Sequence, residues 1–149
     1  MITKSAEYAL RAVAFLADKP GMALPADAIA LKTKIPRRYL HRILQALVAK
    51  GIVHSRLGPG GGYDLVEDSK NLSLLDVVNS VSPIERIRKC PLGLSSHHTL
   101  CPLHAEIDRV CESMEKAFSR VSVKALLMSR KGPTPLCNIG KKAEKSIQG

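Results

Sequence analysis

No apolar run in the 149 residues approaches the roughly 18–20 that a membrane span needs. No signal-peptide pattern opens the chain and no internal repeat divides it, so a single cytosolic domain with an appended element, and no membrane partner, is expected. No nucleophile–base–acid set can be picked out. The glycines of Gly58-Pro59-Gly60-Gly61-Gly62 are followed by no Gly-Lys-Ser/Thr, which excludes a P-loop. An enzyme is therefore not expected. Acidic residues are the minority charge: 13 Asp+Glu stand against 23 Lys+Arg, for a net charge of +10. Such an excess favours a polyanionic partner through release of its counterions, without separating DNA from RNA or an anionic surface. Four cysteines in a cytosolic chain are expected to be reduced, metal-bound or redox-active rather than joined as structural disulfides.

The stretch from Ile35 to Tyr63 organises what is present. Leu40, Ile43, Leu44, Leu47 and Val48 repeat with helical spacing and form one apolar face. Pro36 suits the first helical position, and Gly51 the left-handed residue past the end. The opposite stripe is Arg38, His41, Arg42 and Gln45, with Arg37 at its start; all can donate hydrogen bonds and three are permanently cationic. A helix of this kind suits a DNA major groove, with a plain solvated face as the alternative.

The sequel favours DNA. Ile52–Leu57 reads as a short strand and Tyr63–Val66 as its return, with glycines between that let backbone N–H groups come close to phosphate. A first helix over Pro25–Lys32 leads into the cationic one, completing a helix-turn-helix followed by a wing. Arg38, His41 and Arg42 are placed in the groove, and Arg37 and Arg56 nearer phosphate.

Around this core, Thr3 to about Asp18 reads as an amphipathic helix with Thr3 as its cap and Ala6, Leu10, Val13, Ala14 and Ala17 facing inward. Glu7 in its first turn is by default a partner of the helix dipole. Ser73 is expected to cap a short helix from Leu74 to Val81, which Pro83 ends; the mixed segment Ile84–Lys89 is left unassigned. From Pro102 to about Leu127 runs the longest helical pattern, its stripe Ile107, Val110, Met114, Ala117 and Val121 being suited to pairing with a second copy. The expected organisation is thus mostly α: a winged helix-turn-helix domain over 1–81, a metal-binding loop over 82–101, a dimerisation helix over 102–130 and a basic tail over 131–149.

Cys90, His97, His98, Cys101 and His104 crowd that loop with thiols and imidazoles, the donors of a transition-metal site. Cys101 and His104 stand three apart at a helix start, where the dipole favours thiolate. No second C-x-x-C pair exists, so this is no standard zinc knuckle. Cys111 reads as a small hydrophobe in the dimer seam, and Cys137 has no metal-type neighbours.

Tyr39-Leu40, the helix ending before Gly51-Ile52-Val53, and above all Arg56-Leu57-Gly58-Pro59-Gly60-Gly61-Gly62-Tyr63 resemble the IscR/NsrR (Rrf-type) family of winged-helix regulators, over Ile2 to about Val123. The resemblance implies a homodimeric bacterial transcription factor binding double-stranded operator DNA through Arg37, Arg38, Tyr39, His41, Arg42, Gln45, Arg56, Gly60 and Gly61. Many such relatives sense redox state, nitric oxide or iron and cluster status through an iron–sulfur cluster. Cluster-binding relatives carry three cysteines in the loop; here Cys90 and Cys101 match the first and last, and the middle one is missing. Leu57 stands where many relatives carry a wing arginine. The implied ligands are Cys90, Cys101 and His104, with Glu7 of a second copy, His97 or His98 completing the set. Mixed ligation suits a [2Fe–2S] cluster, for which histidine on one iron is well attested. Two other readings stay open: a metal-free or zinc-binding thiol-redox regulator, and a small redox or metal carrier with a basic docking surface.

Overall fold

The computed structural model describes residues 2–66, 68, 70–129 and 132. Helix α1 spans Lys4–Ala17, α2 Ala26–Thr33 and α3 Arg37–Ala49; strands β1 (Val53–Arg56) and β2 (Gly62–Leu65) form the wing; α4 (Leu74–Val81), α5 (Pro102–Ser119) and α6 (Val123–Leu127) follow.

Helix α1 is the centre of the molecule. Thr3 caps it, its Oγ1 accepting from the Ala6 N–H at 3.2 Å. One buried face was expected, yet Ala9, Ala12, Phe15 and Leu16 are buried as well as Ala6, Val13 and Ala14, while Leu10 and Ala17 are only half-buried. The reason is crowding: α2, α3, α4, α6 and β2 all pack against this one helix, and its alanines let them approach. Around it lie Ile29, Ile35, Leu40, Leu44, Leu47, Val53, Val77 and Val123, each almost wholly withdrawn from water. Cutting such a leucine back to alanine costs about 2–5 kcal/mol of a total near 5–15, so the domain depends on this cluster.

The wing pairs antiparallel, from Val53 opposite Leu65 to Arg56 opposite Gly62. Leu24 adds a further rung, its N–H and C=O both bonding Tyr63 at 2.9 and 2.8 Å. That rung explains Gly62: its φ is +140°, and a Cβ there would stand 2.3 Å from the Leu24 oxygen. Helix α4 starts on a reciprocal cap, Asp76 N–H to Ser73 Oγ at 3.1 Å and Ser73 N–H to the Asp76 carboxylate at 2.9 Å.

The long C-terminal helix is shorter than its periodicity suggests. It ends at Ser119, and the expected continuation to Leu127 is interrupted at Arg120–Ser122 before α6. There Val121 O accepts from Leu74 N–H at 3.0 Å and Val123 N–H donates to Leu72 O at 2.8 Å, an extended bridge back to the start of α4. Ser122 Oγ caps α6 and Val123 sinks into the core at 1% exposure. Burial of Val123 and the alternative hydrogen bonds of Ser122 outweigh helical continuity. Val121 therefore leaves the stripe, which retains Ile107, Val110, Met114 and Ala117. The expected basic tail, with Cys137, lies outside the described residues but for Gly132.

Candidate nucleic-acid interface and metal-ligating loop

Helix α3 separates its two faces cleanly. Leu40, Ile43, Leu44 and Leu47 are buried, whereas Arg37, Arg38, Tyr39, His41, Arg42 and Gln45 are all exposed. The cationic stripe is partly preorganised. Arg38 lies over the Tyr39 ring, 4.6 Å from its centroid, and donates to the Tyr39 hydroxyl at 3.0 Å. Tyr39 in turn packs against Tyr8 of α1, ring centroids 6.1 Å apart. The Gln45 side-chain amide nitrogen and His41 Nε2 approach to 3.3 Å. Arg37 pairs with Asp27 across the helix-turn-helix, both side chains being largely solvated, so the pair is weak and exchangeable for phosphate. Lys34, at φ 55°, makes the left-handed turn between α2 and α3.

The wing carries a contact that its sequence does not announce. Arg56 grips Asp64 on the opposite strand with two hydrogen bonds, 3.2 and 2.6 Å, and the Asp64 side chain is only 5% exposed. Arg56 thus has a structural task whatever else it touches. Leu57, beside it, stands 96% exposed at the tip. Gly60 faces open space, whereas a Cβ on Gly61 would stand 2.4 Å from the Arg56 oxygen, so the tightness of the turn by itself requires glycine at 61.

Residues 84–101 carry no regular element, only turns such as Gly93 N–H to Cys90 O at 3.1 Å and His97 N–H to Leu94 O at 3.0 Å. Cys101 is the N-cap residue of α5, with Pro102 in its first turn. Its Sγ lies 3.4 Å from His104 Nδ1, so these two donors are already side by side. Cys90 lines a separate cleft of about 330 Å³ with Arg88, Lys89, His97 and His98. His97 Nδ1 is buried there without a partner. Glu7 lies apart, ion-paired with Lys4 at 2.9 Å and accepting a hydrogen bond from Arg11, and Lys4 first, then Arg11, hold its carboxyl below the usual range. Among the described residues no three such side chains are gathered closely enough to hold a metal ion within one chain. The donor chemistry nevertheless fits a soft, imidazole-accepting metal centre: a thiol–imidazole pair in contact, a second thiol beside two imidazoles, and an orphaned ring nitrogen.

What the sequence reading left unassigned turns out to be a clamp. Arg86 reaches from the segment after α4 to α5, donating to both Asp108 oxygens at 2.7 Å and to Glu115 at 3.3 Å, with Glu112 at 3.8 Å. The Ile87 N–H adds 2.8 Å to Asp108. Arg86 and Asp108 side chains are 15% and 14% exposed. The Arg86 guanidinium, helped by the Ile87 N–H, pulls the Asp108 carboxyl down to about 2 against the opposing cost of partial burial, and the three carboxylates push Arg86 upward. Asp108, Glu112 and Glu115 fall on one side of α5 by helical spacing, a signal that could have pointed to a basic partner.

Residues 2–129 match the Rrf2 family, described as an iron-dependent transcriptional regulator. The chain belongs to the Rrf2 family. A relative from Rhodobacter capsulatus, an HTH-type transcriptional regulator described as rrf2-like, is 32% identical over 126 residues, covering 81% of each chain. Another from Aquifex aeolicus, also an HTH-type regulator, is 24% identical over 131 residues, 85% of this chain and 91% of the relative. Among solved structures, T. potens IscR superposes with a TM-score of 0.70 at 17% identity, covering 100% of this chain and 92% of that one. CymR of B. subtilis, the global cysteine regulator, gives 0.70 at 20% identity over 85% and 95%. At those identities the structures establish the winged-helix fold, and the family match makes this Rrf2 chain a transcriptional regulator. No helix among its described residues is long and apolar enough to cross a membrane.

Proposed function

We propose that this Rrf2 protein is a cytosolic, dimeric, sequence-specific DNA-binding regulator whose affinity for its operator is set by an iron–sulfur cluster, of [2Fe–2S] type. The observation that carries the DNA half is α3, which buries one face and leaves Arg37, Arg38, Tyr39, His41, Arg42 and Gln45 exposed beside a wing. Arg38, His41 and Arg42 read base edges in the major groove; Arg37 and the backbone around Gly60 and Gly61 meet phosphate. Dimerisation is supported by α5: in its 18 residues none is buried, and Leu103, Ile107 and Val110 are 66%, 42% and 50% exposed. A second copy laid along that stripe removes it from water and doubles the contact with a two-fold operator.

Cys90, Cys101 and His104 would hold the cluster, with Glu7 of the second copy, or His97 or His98, as the fourth ligand. When bound, the group supplies a one-electron couple and ligands that can be exchanged. The chain's own part is to keep Cys101 and His104 in contact at the head of α5 and to offer Cys90 from the loop. Glu7 bears on the DNA-binding domain through Arg11, which also donates to Thr33 O at 3.0 Å, the last residue of α2. Drawing Glu7 away from Arg11 therefore alters a bond at the turn of the helix-turn-helix.

The test is a titration of promoter fragments with anaerobically purified protein, in parallel with iron, sulfide and the visible spectrum. Salt-dependent, sequence-selective binding supports the regulator and excludes a carrier that merely docks on acidic surfaces. Protein without iron and sulfide overturns the cluster. A second reading, a metal-free thiol switch, is favoured by the 3.4 Å contact between Cys101 Sγ and His104. A fold neighbour, CymR from Staphylococcus aureus, has a structure described as its oxidized form. Operator affinity that follows thiol oxidation in iron-free protein would decide for it.

A further inference from the structure

We propose that Arg86 and Asp108 are positioning residues for the metal-ligating loop: their clamp fixes where Cys90 stands relative to Cys101 and His104. Its cofactor consequence rests on the cluster reading above; its geometric claim does not.

The loop has two ends. The distal one is anchored covalently, since Cys101 is the N-cap of α5. The proximal one follows α4 without regular structure; Ile84 N–H bonds Asn79 Oδ1 at 3.0 Å, and from there on an unheld segment would let Cys90 sample a wide volume. Arg86 and Ile87 remove that freedom by bonding Asp108 three times, at 2.7, 2.7 and 2.8 Å. The acceptor is not an arbitrary point on the helix. Asp108 lies one turn beyond His104, on the same side of α5, so the proximal end is tied to the side that begins with His104 and Cys101. Glu115 and Glu112 extend the acceptor field along that side, at 3.3 and 3.8 Å from Arg86. The fork of an arginine suits the task, because two parallel bonds fix orientation as well as distance. Exposure near 15% on both partners keeps water from competing freely. None of these groups ligates a metal; they set the position of one that does.

The experiment uses the dimer in four forms: unaltered, Arg86→Met, the nearly isosteric Asp108→Asn, and Arg86→Lys, which keeps charge without the fork. Two readouts are taken, and melting and sedimentation confirm that each form is folded. In iron-loaded protein the rate of cluster loss to a chelator is followed by absorbance. Outer partners of metal ligands typically contribute 10–100-fold, so roughly a tenfold faster loss is expected for Arg86→Met and Asp108→Asn, and a smaller effect for Arg86→Lys. In metal-free protein lacking Cys111 and Cys137 by alanine substitution, phenylarsine oxide is titrated; it binds two thiols at once and releases water. Its affinity reports how well Cys90 and Cys101 are presented together, and should fall by about tenfold in both variants by the same reasoning. Unchanged arsenical affinity overturns the positioning role, whatever the iron content. Unaltered protein that carries no iron, with arsenical affinity still dependent on Arg86, would overturn the cluster reading and leave the clamp standing.

Discussion

Replacing Arg56 with alanine should destabilise the wing domain even in the absence of DNA. The carboxylate of Asp64 is 5% exposed, and the guanidinium supplies both of its short contacts; the imidazole of His54 stands farther off, its Nδ1 4.0 Å away. Removal of Arg56 leaves a buried charge nearly alone. Breaking a fully buried pair costs about 3–5 kcal/mol, but Arg56 itself is 56% exposed, so water can enter the space it vacates. A cost of about 1–2 kcal/mol follows, within the range for a charged group deprived of its hydrogen bond. Asp64→Asn removes the charge with the partner and should cost about 0.5–1.5 kcal/mol. The double variant should fall short of the sum by about 1 kcal/mol, the signature of direct coupling. Urea unfolding measures this, with the midpoint moving and the slope unchanged. Should Arg56→Ala unfold within about 0.3 kcal/mol of the unaltered protein while its operator affinity drops, the strut argument is wrong and Arg56 serves DNA alone; uncoupled sites add to within that margin.

Four further outcomes are expected. Arg38→Ala with Arg42→Ala should weaken the preferred operator by about 1–3 kcal/mol per base-reading position and flatten sequence preference, whereas Arg37→Ala should lower the salt slope by about one for every sequence; fluorescence anisotropy at several ionic strengths separates them. Val110→Glu with Met114→Glu should yield monomers in sedimentation, since each carboxylate would face its symmetry mate across an apolar seam; an intact dimer removes α5 as the interface. Asp108 is depressed from 3.8 to about 2, so its stabilising contact is complete above the ordinary carboxyl range and disappears only as pH falls through about 2. The stability gap between unaltered protein and Asp108→Asn should accordingly hold constant from neutral pH down to about 5 and close progressively between there and about 2, as read by denaturant unfolding. Glu7→Gln should leave the fold intact; an altered visible spectrum assigns Glu7 as ligand, and an unchanged one leaves the fourth place to His97 or His98.

Much of the DNA-binding half was legible in the sequence, because each part of it is a local decision. The faces of α3, the Ser73 cap and the hairpin are settled by residues within a turn or two of one another, and the structure has them where periodicity and turn chemistry put them. The departures are all non-local. Ala9, Ala12 and Leu16 are buried because other elements surround α1, which no pattern inside α1 records. Helix α5 stops at Ser119 because Leu72 and Leu74, far back in the chain, offer Val121 and Val123 an extended bridge. Arg56 pairs with Asp64 and Arg86 with Asp108 across sequence gaps that charge counting cannot bridge. In the loop, the donor types were visible but their grouping was not: Cys101 meets His104 through helical spacing, whereas the place of Cys90 depends on a clamp outside the motif.

Both ends of α5 are strapped to the winged-helix part of the chain, and this limits how a signal in the loop could reach DNA under the function proposed above. At its beginning Arg86 and Ile87 hold Asp108 close to the end of α4; at its end the Ser73–Ser122 bridge and buried Val123 hold the chain to the start of α4. Helix α4 in turn packs against α1 and α3, so within one copy α5 and α3 form one packed body. A loop that loosens cannot swing α5 as a free arm without breaking the Arg86 bonds, the extended bridge and the burial of Val123 together. What remains movable is the loop itself and whatever face it shares with a second copy. If the chain pairs through α5, the distance between two recognition helices is then set at that face, and a change in the loop acts on DNA affinity by altering how two rigid halves meet. Spin labels on the two copies of α3 should move together when the loop is perturbed, while labels on α3 and α5 of one copy keep their separation. A change confined to the single copy would place the hinge between α4 and α5 and contradict the double strap.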